Sequence, residues 1–233
     1  MRRRLLIIAS SVLAISTVVF LLKHSRAPDP IINGKPLSHW LMAKSEHTGD
    51  PAENYRAIKS AGTKAVPFLL EQIQQYRSPP RWESNFIVFS RAVLPAKAAD
   101  VIERRLNRSE GFTLTCADAF STLGTNASPA IPGLVKLATQ KDTVRAQLAL
   151  FALSGIGKET IPVFAEIITN QSLPHRVEAI GELDLVVTPS ESAQLLPIMY
   201  SCLQDPDPDV SRAAAVSIQR ITTYLPATNA PPQ

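Results

Sequence analysis

The side chains that most often carry out chemistry in proteins are few in this chain and stand apart from one another. Four histidines occur, at His24, His39, His47 and His175, and no pair has the H-x-x-x-H or H-E-x-x-H spacing of a helical zinc site. The sequence also has no C-x-x-C pair, G-x-S-x-G elbow, Walker A loop or G-x-G-x-x-G turn. We therefore expect no metal site, no cofactor and no enzymatic activity.

Three carboxylates, Asp205, Asp207 and Asp209, alternate with prolines near the C-terminal end. Carboxylates bind calcium, but neither a glycine turn nor the distal bidentate glutamate of a calcium loop follows them. An aspartate just before a helix can instead accept hydrogen bonds from the free N–H groups of the first turn. We expect such a cap here, with Asp209 as the capping residue.

The elements that hold these side chains are predicted by a short phrase that recurs about every 30 to 35 residues. The phrase is an apolar helix end, small residues or glycine, and a proline that opens the next apolar run. It occurs at Ile58–Pro67, Phe120–Pro132 and Leu153–Pro162, with a weaker copy at Leu183–Pro197. A period of this length is typical of solenoids of stacked helical hairpins, which bind partners more often than they catalyse reactions.

Each repeat is predicted to contain an A helix, opened by proline, and a B helix rich in alanine. Prolines that mark successive A helices are Pro67, Pro95, Pro132, Pro162 and Pro197. The predicted A and B helices are 37–44 with 51–61, 63–76 with 83–93, 95–106 with 114–123, 129–139 with 143–153, 160–169 with 175–185, and 190–203 with 210–224. The predicted fold class is all-α, an α-solenoid of about six antiparallel hairpins. Residues 77–114 fit the pattern poorly and are either a degenerate repeat or an insertion.

Two segments match the D-x-x-V-R-x-A-A phrase at the turn between the two helices of a HEAT repeat. They are D-P-D-P-D-V-S-R-A-A-A, from Asp205, and D-T-V-R-A, from Asp142. Residues 34–41 look like the lead-in found in many membrane-anchored bacterial HEAT proteins. The chain therefore resembles the HEAT-like, or phycobilin-lyase-type, repeat proteins over residues 34–224. The resemblance implies an armadillo-like helical scaffold, and a lyase or chromophore-binding enzyme is the alternative.

Four arginines, Arg56, Arg145, Arg176 and Arg212, recur early in the predicted B helices. Two interpretations stay open for them. The guanidinium groups could form a row that faces an anionic ligand or partner. The family resemblance implies instead that the turn aspartates and these arginines form a ladder between neighbouring units.

The two cysteines, Cys116 and Cys202, lie in predicted helices nearly three repeats apart. Packed helices are spaced by about 10 Å, whereas a disulfide requires Cα atoms within about 7 Å of each other. A reactive thiolate needs a nearby cation, and neither cysteine has one along its helix. We expect two buried free thiols.

The N-terminal segment has the composition of a membrane anchor. Arginines at positions 2 to 4 precede the uncharged run Leu5–Leu22, and Lys23 and Arg26 close it. Eighteen helical residues span about 27 Å, close to the hydrocarbon thickness of a bilayer. The greater positive charge before the run places the N-terminus in the cytoplasm and the rest of the chain outside, which in a bacterium is the periplasm.

A cleaved signal peptide is the alternative to this anchor. Cleavage after Ala27 would place Pro28 next to the cut, where signal peptidases act poorly. We therefore expect a single-pass membrane protein. Its segments are a signal anchor at 1–26 with the transmembrane span at 5–22, a linker at 27–36, the solenoid at 37–225 and a disordered tail at 226–233.

The net charge of +4 comes from the N-terminal segment, because the rest of the chain has 19 Lys and Arg against 20 Asp and Glu. This removes the main support for a nucleic-acid partner. Residues 77–108 contain seven basic and three acidic side chains, and residues 142–209 contain three and ten. Such asymmetry could steer a charged partner or could belong to solvated faces. We expect a protein partner on the concave B-helix surface and no small-molecule substrate; a cytoplasm-facing adaptor is the alternative.

Overall fold

The computed structural model describes residues 27–77, 81–186 and 192–224, and these are almost entirely helical. The helices are α1 (Leu37–Ser45), α2 (Pro51–Ala61), α3 (Val66–Gln75), α4 (Arg81–Val93), α5 (Ala96–Leu106), α6 (Arg108–Leu123), α7 (Ile131–Ala138), α8 (Thr143–Ile156), α9 (Ile161–Thr169), α10 (Arg176–Val186), α11 (Ser192–Cys202) and α12 (Pro208–Tyr224). Short 3-10 turns at Gly62–Ala65, Gly124–Ala130 and Lys158–Thr160 lead into α3, α7 and α9. The predicted all-α class is confirmed for this part of the chain.

Ten of these helices pack in neighbouring pairs, as in a HEAT-like array. The pairs are α1 with α2, α3 with α6, α7 with α8, α9 with α10, and α11 with α12. The second members of the pairs are the B helices α2, α6, α8, α10 and α12, and they pack on one another in that order. Each helix is therefore held by its partner within the pair and by helices of the adjacent units.

The recurring phrase forms the passage from one unit to the next. After α6 and α8 the chain passes through Gly124 and Gly157, whose φ angles are 54° and 106°. Residues with a side chain rarely adopt this conformation, so glycine is favoured at both turns. Pro132 and Pro162 then lie in the first turn of α7 and α9, where the missing N–H of proline has no helical partner to lose. These two unit boundaries agree with the sequence prediction.

The stretch that fits the repeat poorly is an inserted helical hairpin. Helices α4 and α5 pack mainly on each other, and α3 takes α6 as its B helix. The predictions that residues 83–93 pair with the helix before them and that Pro95 opens a further unit are therefore wrong. Among the described residues the array contains five helix pairs instead of the six predicted, and the α4–α5 hairpin is inserted between the two members of the second pair.

The insertion is joined to the two helices of one pair. Tyr76 follows the last residue of α3, and Glu110 is in the first turn of α6. Burial raises the pKa of the Tyr76 hydroxyl, and the Glu110 carboxylate adds to the shift. Because α3 and α6 pack on each other, the chain leaves the array and returns to it on neighbouring helices.

The segment 27–36, expected to be a linker, is folded onto the array. Strands β1 (Ile31–Ile32) and β2 (Lys35–Pro36) form a small antiparallel hairpin. The indole N–H of Trp40 in α1 donates to the Ile32 carbonyl at 3.0 Å, and the Lys35 ammonium lies 4.9 Å from the centre of the Trp40 ring. Ile32 is itself buried, so this segment caps the first unit.

The core is one continuous cluster that runs through all five helix pairs. Small side chains on the B helices let neighbouring units approach closely. At Gly155 in α8 an added Cβ would lie 2.7 Å from the backbone nitrogen of Ser121 in α6, so glycine is required for this approach. The largest fully buried side chains include Phe120, Phe164 and Leu153.

The predicted transmembrane run 5–22 and the tail 226–233 lie outside the described residues. In the part of the chain that the structure describes, no helix has both the length and the apolar character needed to span a bilayer.

Candidate partner-binding surface

An apolar groove crosses three units on the exposed side of the B helices. It has a volume of about 550 Å³ and lies over α8, between α6 and α10. Leu114, Leu148 and Phe151 supply its apolar surface, and Glu178 and Glu182 line its α10 side. We call this the first groove. Because three successive units build it, its shape depends on how the units stack.

A second groove, of about 570 Å³, lies between α10 and α12. Four of its charged groups, Asp184, Asp209, Arg212 and Arg220, are paired within the protein. Asp184 of α10 accepts hydrogen bonds from Ser217 and, at 2.8 Å, from Arg220, both on α12. Arg212 forms a 2.8 Å ion pair with Asp209. These contacts join the last two B helices and leave the second groove less charged than its composition suggests.

Gly181 connects the two grooves, because it lines both of them. It lies within α10, and a Cβ added to it would have no heavy atom within 4 Å. A glycine inside a helix destabilises it by about 0.5–1 kcal/mol relative to alanine. No packing contact with the described residues requires that loss, and Gly181 leaves bare backbone at the surface.

Glu182 is the most unusual carboxylate of the first groove. The residue is half-buried, and burial raises the pKa of its carboxyl group, while the hydrogen bond that Ser154 donates at 3.0 Å acts in the opposite direction. Among the described residues no Lys, Arg or His forms an ion pair with it. A partially desolvated carboxylate with only a hydroxyl donor can accept a cation from another molecule.

Of the four candidate arginines, Arg176 makes the most buried contacts. Its Nε donates to the Ile168 carbonyl at 2.8 Å, and its two Nη atoms donate to the two carboxylate oxygens of Asp205 in the next unit. Hydrogen bonds from the guanidinium lower the pKa of Asp205. Arg176 therefore holds α9, α10 and the turn before α12 together.

Arg145 also joins two units. Its Nη2 lies 2.8 Å from the Asp142 carboxylate, and its Nη1 donates to the Gln74 carbonyl of α3 at 3.3 Å. Arg56, by contrast, is exposed, donates to the Ala52 carbonyl of its own helix and lies 3.8 Å from Asp50. Together with Arg212 on the second groove, the four arginines face different surroundings and do not converge on one site.

His175 is an inter-unit contact that sequence reasoning missed. Its φ angle is 62°, which turns the chain into α10, and its Nε2 lies 3.0 Å from the Gln140 carbonyl of the preceding unit. The carbonyl accepts, so Nε2 carries the hydrogen. The only hint in the sequence was the position of this histidine, directly before Arg176 at the predicted start of a B helix.

The aspartates of the turns cap B helices. Asp50 accepts from the Ala52 N–H at 3.0 Å and Asp142 from the Arg145 N–H at 3.0 Å. At α12 the carboxylate of Asp207 accepts from the Asp209 N–H at 2.9 Å. The prediction that Asp209 caps this helix is wrong by two positions, because α12 already begins at Pro208 and Asp209 lies in its first turn.

The remaining reactive side chains are separate from both grooves. Cys116 and Cys202 are buried and free, and burial raises the pKa of each thiol. Within the described ranges no three His, Cys, Asp or Glu side chains lie where they could share a metal ion.

A comparison with protein-family models gives a match near the C-terminal end. The model of the HEAT repeat family matches residues 195–225, the stretch that contains most of α11 and all of α12. No curated protein is similar enough to be matched to this chain. The chain thus contains a HEAT repeat in a mostly helical array, and repeats of this kind generally mediate protein–protein interactions.

Proposed function

We propose that this protein is a non-catalytic scaffold that binds a protein partner on the surface of its B helices. The first groove carries this proposal, because it combines apolar side chains from α6 and α8 with the carboxylates of α10 across three units. Solenoids bind in this way, each unit contributing a few side chains to one extended surface. The HEAT match at residues 195–225 supports the same class of function.

The chemistry of the groove defines the partner more narrowly. Leu114, Leu148 and Phe151 fit an apolar segment, which an amphipathic helix lying across α8 would supply. Glu182 fits a lysine or arginine of that helix, since it has no cationic partner among the described residues. Gly181 lets the partner approach the backbone of α10.

The test is photocrosslinking in the cells that make the protein. A photoreactive amino acid is placed at Gln147, an exposed position in the first groove, or at Glu166, an exposed position on the A helix α9. We expect a discrete covalent adduct with one protein species from position 147 and none from position 166. Adducts from neither position, or equally from both, would contradict the proposed surface.

Two matched variants sharpen the result. Leu114 and Leu185 are both exposed leucines on B helices, but only Leu114 lines one of the two grooves. Leu114→Asp should abolish the adduct at position 147, and Leu185→Asp should leave it. Glu182→Gln keeps an acceptor for Ser154 and removes the charge, so it should weaken the adduct without unfolding the protein.

We further propose that residues 1–26 anchor the scaffold in a membrane, with the array in the periplasm or outside the cell. The support is the sequence alone: an uncharged run at 5–22 with more positive charge before it than after it. A reporter that is active only outside the cytoplasm, fused after Gln233, tests the orientation. Activity together with protease access in spheroplasts supports the proposal, whereas a silent, protected fusion makes the protein a cytoplasm-facing adaptor.

A further inference from the structure

The α4–α5 hairpin exposes an apolar stripe that the array does not cover. Phe86, Phe89 and Val93 are spaced three and four positions apart and so share one side of α4. They are 43%, 60% and 61% exposed. Ser90, which lies next to Phe86 and Val93 around the helix, is buried, and Arg91 forms a 2.6 Å ion pair with Glu103 of α5. Among the described residues α4 packs mainly on α5, and the three apolar side chains stay exposed beside that contact.

The hairpin and its flanking residues carry an excess of positive charge. Residues 77–108 contain seven Lys and Arg against three Asp and Glu. Lys97 and Arg105 on α5 are exposed, and Arg105 lines a shallow hollow with Val101, Arg108 and Glu46. A hairpin with exposed aromatic and aliphatic side chains on one helix and exposed basic ones on the other has the composition of elements that lie in the interface of a membrane with anionic lipids.

The N-terminal segment joins the array on α3, the helix that precedes the hairpin in the chain. The backbone N–H of Ala27 donates to the Glu71 carboxylate, one helical turn before the end of α3 from which the hairpin emerges. Only residues 23–26 separate Ala27 from the uncharged run that ends at Leu22. That connection reaches at most about 18 Å when extended, and α4 alone is about 20 Å long. The hairpin is therefore as long as the largest gap that this connection could leave between the array and the end of the uncharged run.

We infer that the α4–α5 hairpin docks on the anionic lipid surface of the membrane, with Phe86, Phe89 and Val93 inserted among the headgroups. The inference rests on the proposed membrane attachment for what keeps the hairpin near lipid. Its consequence is a fixed orientation of the array relative to the bilayer, because two separate points, the anchor and the hairpin, then contact the same membrane.

The test uses the full chain with one added cysteine, since Cys116 and Cys202 are buried. Ala92→Cys lies beside the stripe on α4, and Ala215→Cys is the matched control at an exposed position on α12. Each variant is labelled with a nitrobenzoxadiazole dye and reconstituted into vesicles of phosphatidylcholine, alone or mixed with phosphatidylglycerol. We expect blue-shifted emission and quenching by spin-labelled lipid at position 92 in the anionic vesicles, and neither at position 215.

Further variants separate the contributions of the apolar and the basic side chains to the membrane contact. Phe86→Ser with Phe89→Ser should remove the quenching at position 92 while circular dichroism keeps its helical signal. Lys97→Glu with Arg105→Glu should remove the preference for anionic vesicles, and added salt should weaken it. Equal quenching at positions 92 and 215 would overturn the inference. A blue shift at position 92 without quenching would also overturn it, because residues 1–26 or a second copy of the chain would then cover the stripe.

Flotation of the same vesicles distinguishes this inference from the proposed anchor. If the protein floats with both kinds of vesicle and position 92 stays in water, the inference is overturned and the anchor stands. If it floats with anionic vesicles alone and position 92 is quenched, the hairpin contact stands without the anchor. If it floats with neither, both are overturned.

Discussion

Arg176 and Arg212 each pair with an aspartate near the start of a B helix, in opposite surroundings. The side chains of Arg176 and Asp205 are 8% and 5% exposed, and those of Arg212 and Asp209 are 73% and 65% exposed. Removing one partner of a buried pair leaves an uncompensated charge and costs about 3–5 kcal/mol, whereas an exposed pair contributes about 0–1 kcal/mol. In urea unfolding we therefore expect Arg176→Ala to lower the free energy of unfolding by about 3–5 kcal/mol and Arg212→Ala to lower it by under about 1 kcal/mol. Equal losses would contradict the buried contact.

The Asp205 pair should also give the protein an acid-sensitive stability. The pKa of Asp205 is lowered in the folded state, so its stabilisation is complete above the unfolded-state pKa of about 3.9 and is lost as the pH falls through the folded-state value. Asp205→Asn removes the carboxylate and should flatten this acid dependence. Urea midpoints measured between neutral pH and pH 3 check this, and an unchanged slope would show that other carboxylates dominate acid unfolding.

The positions of the four arginines could be predicted from the repeated phrase, but their contacts could not. Arg176 bonds to Asp205 because the following unit supplies an aspartate at its turn. The turn that follows Arg145 has Pro174 and His175 instead, so Arg145 bonds to its own Asp142 and to the preceding unit. For Arg56 the following turn is interrupted by the α4–α5 hairpin. Each contact depends on the neighbouring unit, which the local phrase does not specify.

At the scale of the helices, two glycines test how tightly the units are stacked. An added Cβ at Gly155 would lie 2.7 Å from the Ser121 nitrogen, and at Gly181 it would meet nothing within 4 Å. Gly155→Ala should push α8 away from α6 and lower the free energy of unfolding by about 1–3 kcal/mol. Gly181→Ala should raise it by about 0.5–1 kcal/mol because helix propensity improves. Thermal unfolding of both variants measures this, and a stabilised Gly155→Ala protein would contradict the close approach.

The inserted hairpin predicts an unusual tolerance to deletion. Since α3 and α6 pair directly, we expect that a short Gly-Ser linker can replace residues 78–107. We expect the thermal midpoint to change by less than about 4 °C, which corresponds to about 1 kcal/mol for a chain of this size. If residues 83–93 were instead the B helix of the second unit, the deletion would remove half a unit and the cooperative transition would be lost.

The sequence contained the evidence for this insertion, but the proline spacing concealed it. Pro95 falls near the position where a repeat of about 32 residues would put the proline of an A helix, and α5 does begin directly after it. The end of α4 reads Val93-Leu94-Pro95, without the glycine that follows α6 and α8. The left-handed turns after α2, α6 and α8 favour glycine, so a glycine at a helix end marks these three unit boundaries more specifically than proline, which can open any helix.

For the whole molecule, the exposed grooves follow from the order in which the B helices stack. The sequence predicted the B-helix surface but not the first groove, because Leu114, Leu148 and Glu182 come from three units that are distant in the chain. Contacts between neighbouring units also determine how a mutation changes the stability of the array. Its stability is close to a sum of unit and interface contributions, so the effect of a mutation depends on the place of its unit in the array.

Leu153 and Ile221 compare an inner unit with the last described one. Leu153 of α8 is fully buried and Ile221 of α12 nearly so, and an aspartate at either position would be an unpaired buried charge that costs several kcal/mol. Helix α8 packs on α7, α6, α10 and α3, whereas α12 packs on α11 and α10. Leu153→Asp should therefore accelerate hydrogen exchange in α6, α8 and α10 together and lower the thermal midpoint of the whole array. Ile221→Asp should accelerate exchange in α11 and α12 alone.

An unchanged thermal midpoint for Leu153→Asp would mean that the helix pairs are assigned in the wrong phase. Faster exchange throughout the array for Ile221→Asp would mean that the units do not unfold independently.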